Sequence, residues 1–146
     1  MRVGYRYSGV AQNHIAPANY FKDPSEIDTY LKSCTWLPFI NNEQPTALNA
    51  TYKAKLADVN ELTLVKFLAD TVLSPPDTEW FGFWSDASRK AITPMNQTAG
   101  YASDAIGLKT LNEKGAIKFV AQPGQHLNID KALLDNTVIP AMRNSF

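Results

Sequence analysis

The sequence predicts an α/β fold with parallel strands. Two short apolar runs carry the expectation, "LTLVKFL" at 62–68 and "AIKFVA" at 116–121. In the first, Leu64, Val65, Phe67 and Leu68 are broken only by Lys66, which is how a strand buried on both faces of a parallel sheet reads. Around and between the runs lie segments of helical period, and alternating strands and helices build parallel sheets.

Taken in order, "PSEIDTYLKS" (24–33) is a short helix, with Pro24 and Ser25 in its first turn and Glu26 and Asp28 favouring the positive end of its dipole. "WLPFINNEQP" (36–45) carries two prolines and ends in turn formers, so it reads as loop. Residues 50–61 place Tyr52, Leu56 and Val59 on one helical stripe. The strand at 62–68 stops before Asp70, and Pro75-Pro76 follow. "EWFGFW" (79–84) reads as a second, aromatic strand or extended segment. "SDAIGLKTLNEKG" (103–115) is a helix capped by Ser103 and closed by Gly115. The strand at 116–121 leads to His126, and 128–144 is a closing helix that Pro140 kinks or ends.

Composition narrows the function. The chain has 146 residues, enough for one domain with a sizeable core. Fourteen basic and fourteen acidic side chains balance to zero, which argues against nucleic acid or an anionic membrane as the main partner. Cys34 is the one cysteine, so an internal disulfide is impossible. No stretch is apolar enough for a transmembrane segment, and "MRVGYRYSGVAQ" lacks the apolar core of a signal peptide. Nothing in the residues calls for a cofactor or metal.

Asp70 and His126 each stand just past a predicted buried strand, where open α/β sheets place their sites. If the strands are neighbours, the carboxylate can accept from one imidazole nitrogen and leave the other as general base. The plain alternative is a surface or capping histidine at a strand end. His14, in "QNHIAP", favours the plain reading. The order acid then histidine fits the chain order of α/β-hydrolase triads, whose serine sits on G-x-S-x-G. No such elbow occurs here. Ser8, Ser74, Ser85, Ser88 and Ser103 lack the glycine frame, as does Cys34. Trp80, Phe81, Phe83 and Trp84 read either as core or as the wall of an apolar groove.

Longer words add a resemblance. "ANYFKDP" (18–24), "LPFINNE" (37–43), "NATYKAKL" (49–56), "LVKFLADTVLSPPDTEWFGFW" (64–84), "YASDAIGLKTLNEKG" (101–115) and "FVAQPGQHL" (119–127) together resemble palmitoyl-protein thioesterases over roughly residues 15–142. The first dozen residues are not placed by it. The resemblance implies the C-terminal portion of an α/β-hydrolase fold with an incomplete sheet, so that 1–146 is a single partial domain. Within it, 15–62 is a lid-like helical insertion and 63–142 holds the terminal strands and helices. It implies that Asp70 is the triad acid and His126 the triad base of an enzyme that cleaves long-chain acyl thioesters of cysteine. The nucleophile and oxyanion hole would lie in an N-terminal half outside this chain. It further implies S-acylated proteins as partners, a lysosomal or secretory location, and glycosylation at Asn49 in "NAT"; Asn96 in "NQT" is a second sequon. Two other readings stand beside it: a truncated, non-catalytic relative that binds acyl groups or a protein partner, and an esterase of the same fold acting on oxygen esters.

Overall fold

The computed structural model describes residues 19–44 and 49–143. Helices α1 (Ile27–Ser33), α2 (Leu37–Ile40) and α3 (Ala50–Ala57) precede strand β1 (Leu62–Phe67). A 3₁₀ turn (Pro76–Trp80), the short strands β2 (Phe83–Trp84) and β3 (Ile92–Thr93), and a second 3₁₀ turn (Met95–Gln97) follow. Helices α4 (Ala99–Ala102) and α5 (Leu108–Glu113) lead to strand β4 (Ile117–Gln122). The chain closes on α6 (Lys131–Leu133), a π turn (Leu134–Val138) and α7 (Ile139–Arg143).

β1 and β4 pair in parallel, with Leu62 opposite Ile117 and Phe67 opposite Gln122. β2 and β3 form a separate antiparallel pair. The predicted parallel pairing is therefore present, but the two-sided burial is not. In β1, Phe67 alone is fully buried, and in β4 Lys118, Phe119 and Ala121 are exposed. Two strands with short helices around them cannot cover both faces of a sheet. Among the described residues the buried core includes Tyr30, Cys34, Phe67, Met95, Leu108, Leu111 and Leu133, with Pro38 and Pro75 also enclosed.

Several local expectations change. The segment read as loop at 36–45 contains α2, because Pro38 falls in its first turn, where a missing N–H costs nothing. Asn42, just beyond, is buried and ties three segments together. Its Nδ2 donates to the carbonyls of Asn49 and Ala105, and its Oδ1 accepts from the Asn49 amide at 2.7 Å. The helix expected at 103–115 is shortened at its start: residues 103–107 are turn and bend, and α5 begins only at Leu108. Gly107 takes φ +91° between α4 and α5, and Ser103 closes α4 instead of capping α5. Asp104 supplies the cap: Oδ1 accepts from the amides of Lys109 and Thr110 and Oδ2 accepts from the Thr110 hydroxyl. At Gly107 a Cβ would lie 2.9 Å from Ala57 Cβ, so glycine there lets α3 and α5 pack directly. In "EWFGFW", Glu79 and Trp80 end a 3₁₀ turn, Phe81 takes a positive φ of 58°, and only Phe83–Trp84 form a strand. The closing helix runs through Pro140 to Arg143 behind a π turn, the kind of local widening that tolerates a helical proline.

Candidate active site

The two loops that carry Asp70 and His126 are held together by an extension of the strand pairing. Beyond β1, the Leu68 amide donates to the Gln122 carbonyl and the Ala69 amide to the Gly124 carbonyl, both at 2.9 Å. Gly124 takes φ +114°, a conformation glycine reaches easily. A Cβ there would sit 2.4 Å from Asn128 Nδ2. The far side of the loop is anchored by Asp130, which caps α6 through the Leu133 amide and accepts from Gln122 Nε2 at 3.0 Å.

This frame puts His126 Nδ1 2.6 Å from Asp70 Oδ2. The Asp70 side chain is fully enclosed, whereas that of His126 is 30% exposed. Asp70 Oδ1 accepts from the amides of Val72 and Leu73. Burial alone would push the Asp70 carboxyl up. The hydrogen bonds from His126, Leu73 and Val72 outweigh it and hold the group below its ordinary value of 3.8. With Nδ1 bonded to Asp70, Nε2 has no hydrogen-bond partner among the described residues.

A third group stands at the pair. Ligand atoms of Asp70, Glu79 and His126 all lie within 4.8 Å of one another, and no other such cluster occurs among the described residues. Glu79 is half-buried, and one of its oxygens accepts from the Phe67 amide at 2.8 Å. Burial pushes its carboxyl up, as does the neighbouring charge of Asp70, against the opposing bond from Phe67. His126 Nδ1 is bonded to Asp70, and the Glu79 carboxyl stands beside the pair. Glu79 is the functional candidate that the sequence reading missed, since "EWFGFW" drew notice for its aromatics. The available signal was an acid nine residues past Asp70 in an otherwise aromatic stretch.

The remaining candidates fall elsewhere. Trp80, Phe81, Phe83 and Trp84 are all half-buried. Trp80 stacks edge-on with Phe119 at 5.6 Å, carries Lys66 over its face and donates its indole N–H to the Leu64 carbonyl. A cavity of about 250 Å³ opens beside Trp80, Met95 and Phe119, and its lining excludes Asp70, Glu79 and His126. Cys34 is buried with its thiol donating to Asn19. His14 and Ser8 lie outside the described residues. Of the two sequons, Asn96 is exposed. Asn49, where the resemblance implies glycosylation, is half-buried, because its backbone is bonded to Asn42 and its side chain caps α3 through the Tyr52 amide.

Parallel strands with an acid and a histidine just past their carboxyl ends are those of an α/β-hydrolase fold. The chain belongs to the palmitoyl protein thioesterase family, whose sequence profile it matches over residues 1–126. The match includes the first dozen residues, which the sequence reading left unplaced. The chain is 41% identical over 133 residues to palmitoyl-protein thioesterase 1 of Caenorhabditis elegans, covering 91% of this chain and 44% of that protein. It is 32% identical over 143 residues to palmitoyl-protein thioesterase 3 of Dictyostelium discoideum, covering 94% and 49%. It is also 32% identical over 120 residues to the lysosomal thioesterase PPT2 homolog of Drosophila melanogaster, covering 82% and 41%. The chain thus spans less than half the length of these relatives. Among the described residues no helix is long and apolar enough to cross a membrane.

Proposed function

We propose that these residues form the acid–base part of a site that hydrolyses long-chain acyl thioesters of cysteine in a lysosomal or secretory setting. The observation that carries the reading is the 2.6 Å contact between enclosed Asp70 and half-exposed His126 at the ends of adjacent parallel strands. Asp70 fixes His126 with its proton on Nδ1, and Nε2 acts as base. A serine supplied from outside this chain, as the family resemblance implies, attacks the thioester carbonyl and passes its proton to Nε2. The C–S bond breaks, the thiolate departs with that proton, and an acyl-serine remains. Water then gives a proton to Nε2, attacks the acyl carbon and releases the fatty acid, and serine recovers the proton.

Residues 15–62 are read as lid-like. Two edge-on aromatic pairs in or against them support this, Tyr20 with Trp36 and Phe39 with Tyr52, all four exposed. A second reading is a truncated relative that binds acyl groups or a protein partner without hydrolysis. The nucleotide sequence upstream of Met1 separates the two. An open frame encoding the serine elbow, and palmitoyl-thioester turnover by its product, supports the enzyme. A stop codon there, with a stable and inactive product, rejects it.

A further inference from the structure

We propose that Glu79 is a positioning residue for the Asp70–His126 pair, clamping the end of β1 through the Phe67 amide while its carboxyl stands against both side chains. The inference rests on the thioesterase reading and adds a residue to that site.

The geometry comes from strand register. The Leu62 and Leu68 amides point to β4, since they donate to Ala116 and Gln122. Amides alternate in direction along a strand, so that of Phe67 points to the opposite edge. There it meets no strand among the described residues, and the Glu79 carboxylate takes it at 2.8 Å. Phe67 is also the turn acceptor for the Asp70 amide, so the residue that Glu79 holds is the one from which Asp70 hangs.

The carboxyl of Glu79 faces Asp70 from the loop after β1 and His126 from the loop after β4. Lys66, one residue before Phe67, is engaged with Asp77 and Trp80. Two ionised carboxylates this close repel, and burial favours the neutral form of Glu79. Neutral Glu79 can accept from Phe67 and donate to Asp70 at once. Ionised Glu79 keeps the first bond and loses the second, which loosens Asp70 against His126.

The test compares wild type, Glu79→Gln and Glu79→Ala in the protein expressed from its complete reading frame. Two readouts are followed with pH: the downfield proton resonance of the His126 Nδ1–H···Asp70 bond, and kcat and KM for a palmitoyl thioester. Glutamine keeps an acceptor for Phe67 and a permanent donor for Asp70. It should hold the resonance and the rate to higher pH than wild type. Alanine should broaden the resonance and lower kcat about 10- to 100-fold with little change in KM. An unaltered resonance in the alanine variant overturns the proposal, as do superimposable pH courses for wild type and the glutamine variant. If alanine prevents folding, the wild-type and glutamine courses decide alone. If the resonance responds as described while no variant turns over thioester, positioning by Glu79 stands and the thioesterase reading fails.

Discussion

Gly124→Ala is the most exacting test of how the site is built. The glycine has φ +114°, and its carbonyl receives the Ala69 amide that joins the two site loops. Placing an L-residue in such a conformation costs about 1–3 kcal/mol. The new methyl would also sit 2.4 Å from Asn128 Nδ2, 3.1 Å from its Cβ and 3.2 Å from its Cγ. The amide end can swing away, but Cβ moves only with the backbone, and overpacking of that kind adds about 1–3 kcal/mol. The total is roughly 2–6 kcal/mol. Gly115→Ala is the control, because Gly115 has φ +71° and open space around its Cα. It should lose only the conformational part. Urea denaturation at unchanged slope gives both values. The loop shift that relieves the clash would also part Asp70 from His126, and a displacement of about 1 Å costs on the order of 100-fold in rate. A Gly124→Ala protein no less stable than Gly115→Ala, with unaltered turnover, would refute the claim that this loop is pinned by contact.

Four further outcomes follow from the same geometry. His126→Ala should abolish thioester hydrolysis and Asp70→Asn should lower it by about 10⁴-fold, measured as kcat on a palmitoyl thioester; unchanged turnover in either removes that residue from the mechanism. Gly107→Ala forces a methyl to 2.9 Å from Ala57 Cβ and 3.0 Å from the Lys53 carbonyl at φ +91°, and should cost about 2–6 kcal/mol in a thermal or urea melt. In a secretory host, glycosidase treatment should shift the mass through exposed Asn96 more than through half-buried Asn49, read from Asn96→Gln and Asn49→Gln. Asp70, depressed below 3.8, adds stability that is complete above that pH and is lost as pH falls through its folded value. Glu79, raised above 4.5, acts oppositely: the folded state holds its proton longer, so stability declines as pH rises from 4.5 through the folded value, and Glu79→Gln should flatten that decline in pH-dependent melts.

The sequence was most legible where one residue type has one physical use. Apolar runs interrupted by a single lysine marked β1, and a short run before Pro123 and Gly124 marked β4. Their parallel pairing then brings Asp70 and His126 together. It was least legible where a side chain bonds far along the chain. Asn42 looks like one more turn former in "PFINNE", yet it is buried and joins residues as distant as Ala105. Asp104 looks like an interior helix position, yet it caps α5 from five residues away. Glu79 looks like surface charge among aromatics, yet it takes an edge amide of β1. Each of these depends on tertiary neighbours that periodicity does not encode. The fold of the strands' surroundings misled in the other direction: apolarity implied two covered faces, and Phe119 stands exposed.

The placement of the pair follows from register more than from the loops themselves. Asp70 lies three residues past β1 and His126 four past β4. The Leu68–Gln122 and Ala69–Gly124 bonds carry the parallel ladder almost to the two side chains. A slip of one residue would move His126 by about 3.3 Å along the strand and turn alternate side chains to the other face. Phe67, the fully buried residue of β1, opposes this because a slip would expose it. Gln122 opposes it from β4, where its side chain is buried and bonded to the cap of α6. The site is thus fixed by a core phenylalanine and a buried amide on facing strands. Substitutions there should reach the Asp70–His126 distance without touching either residue.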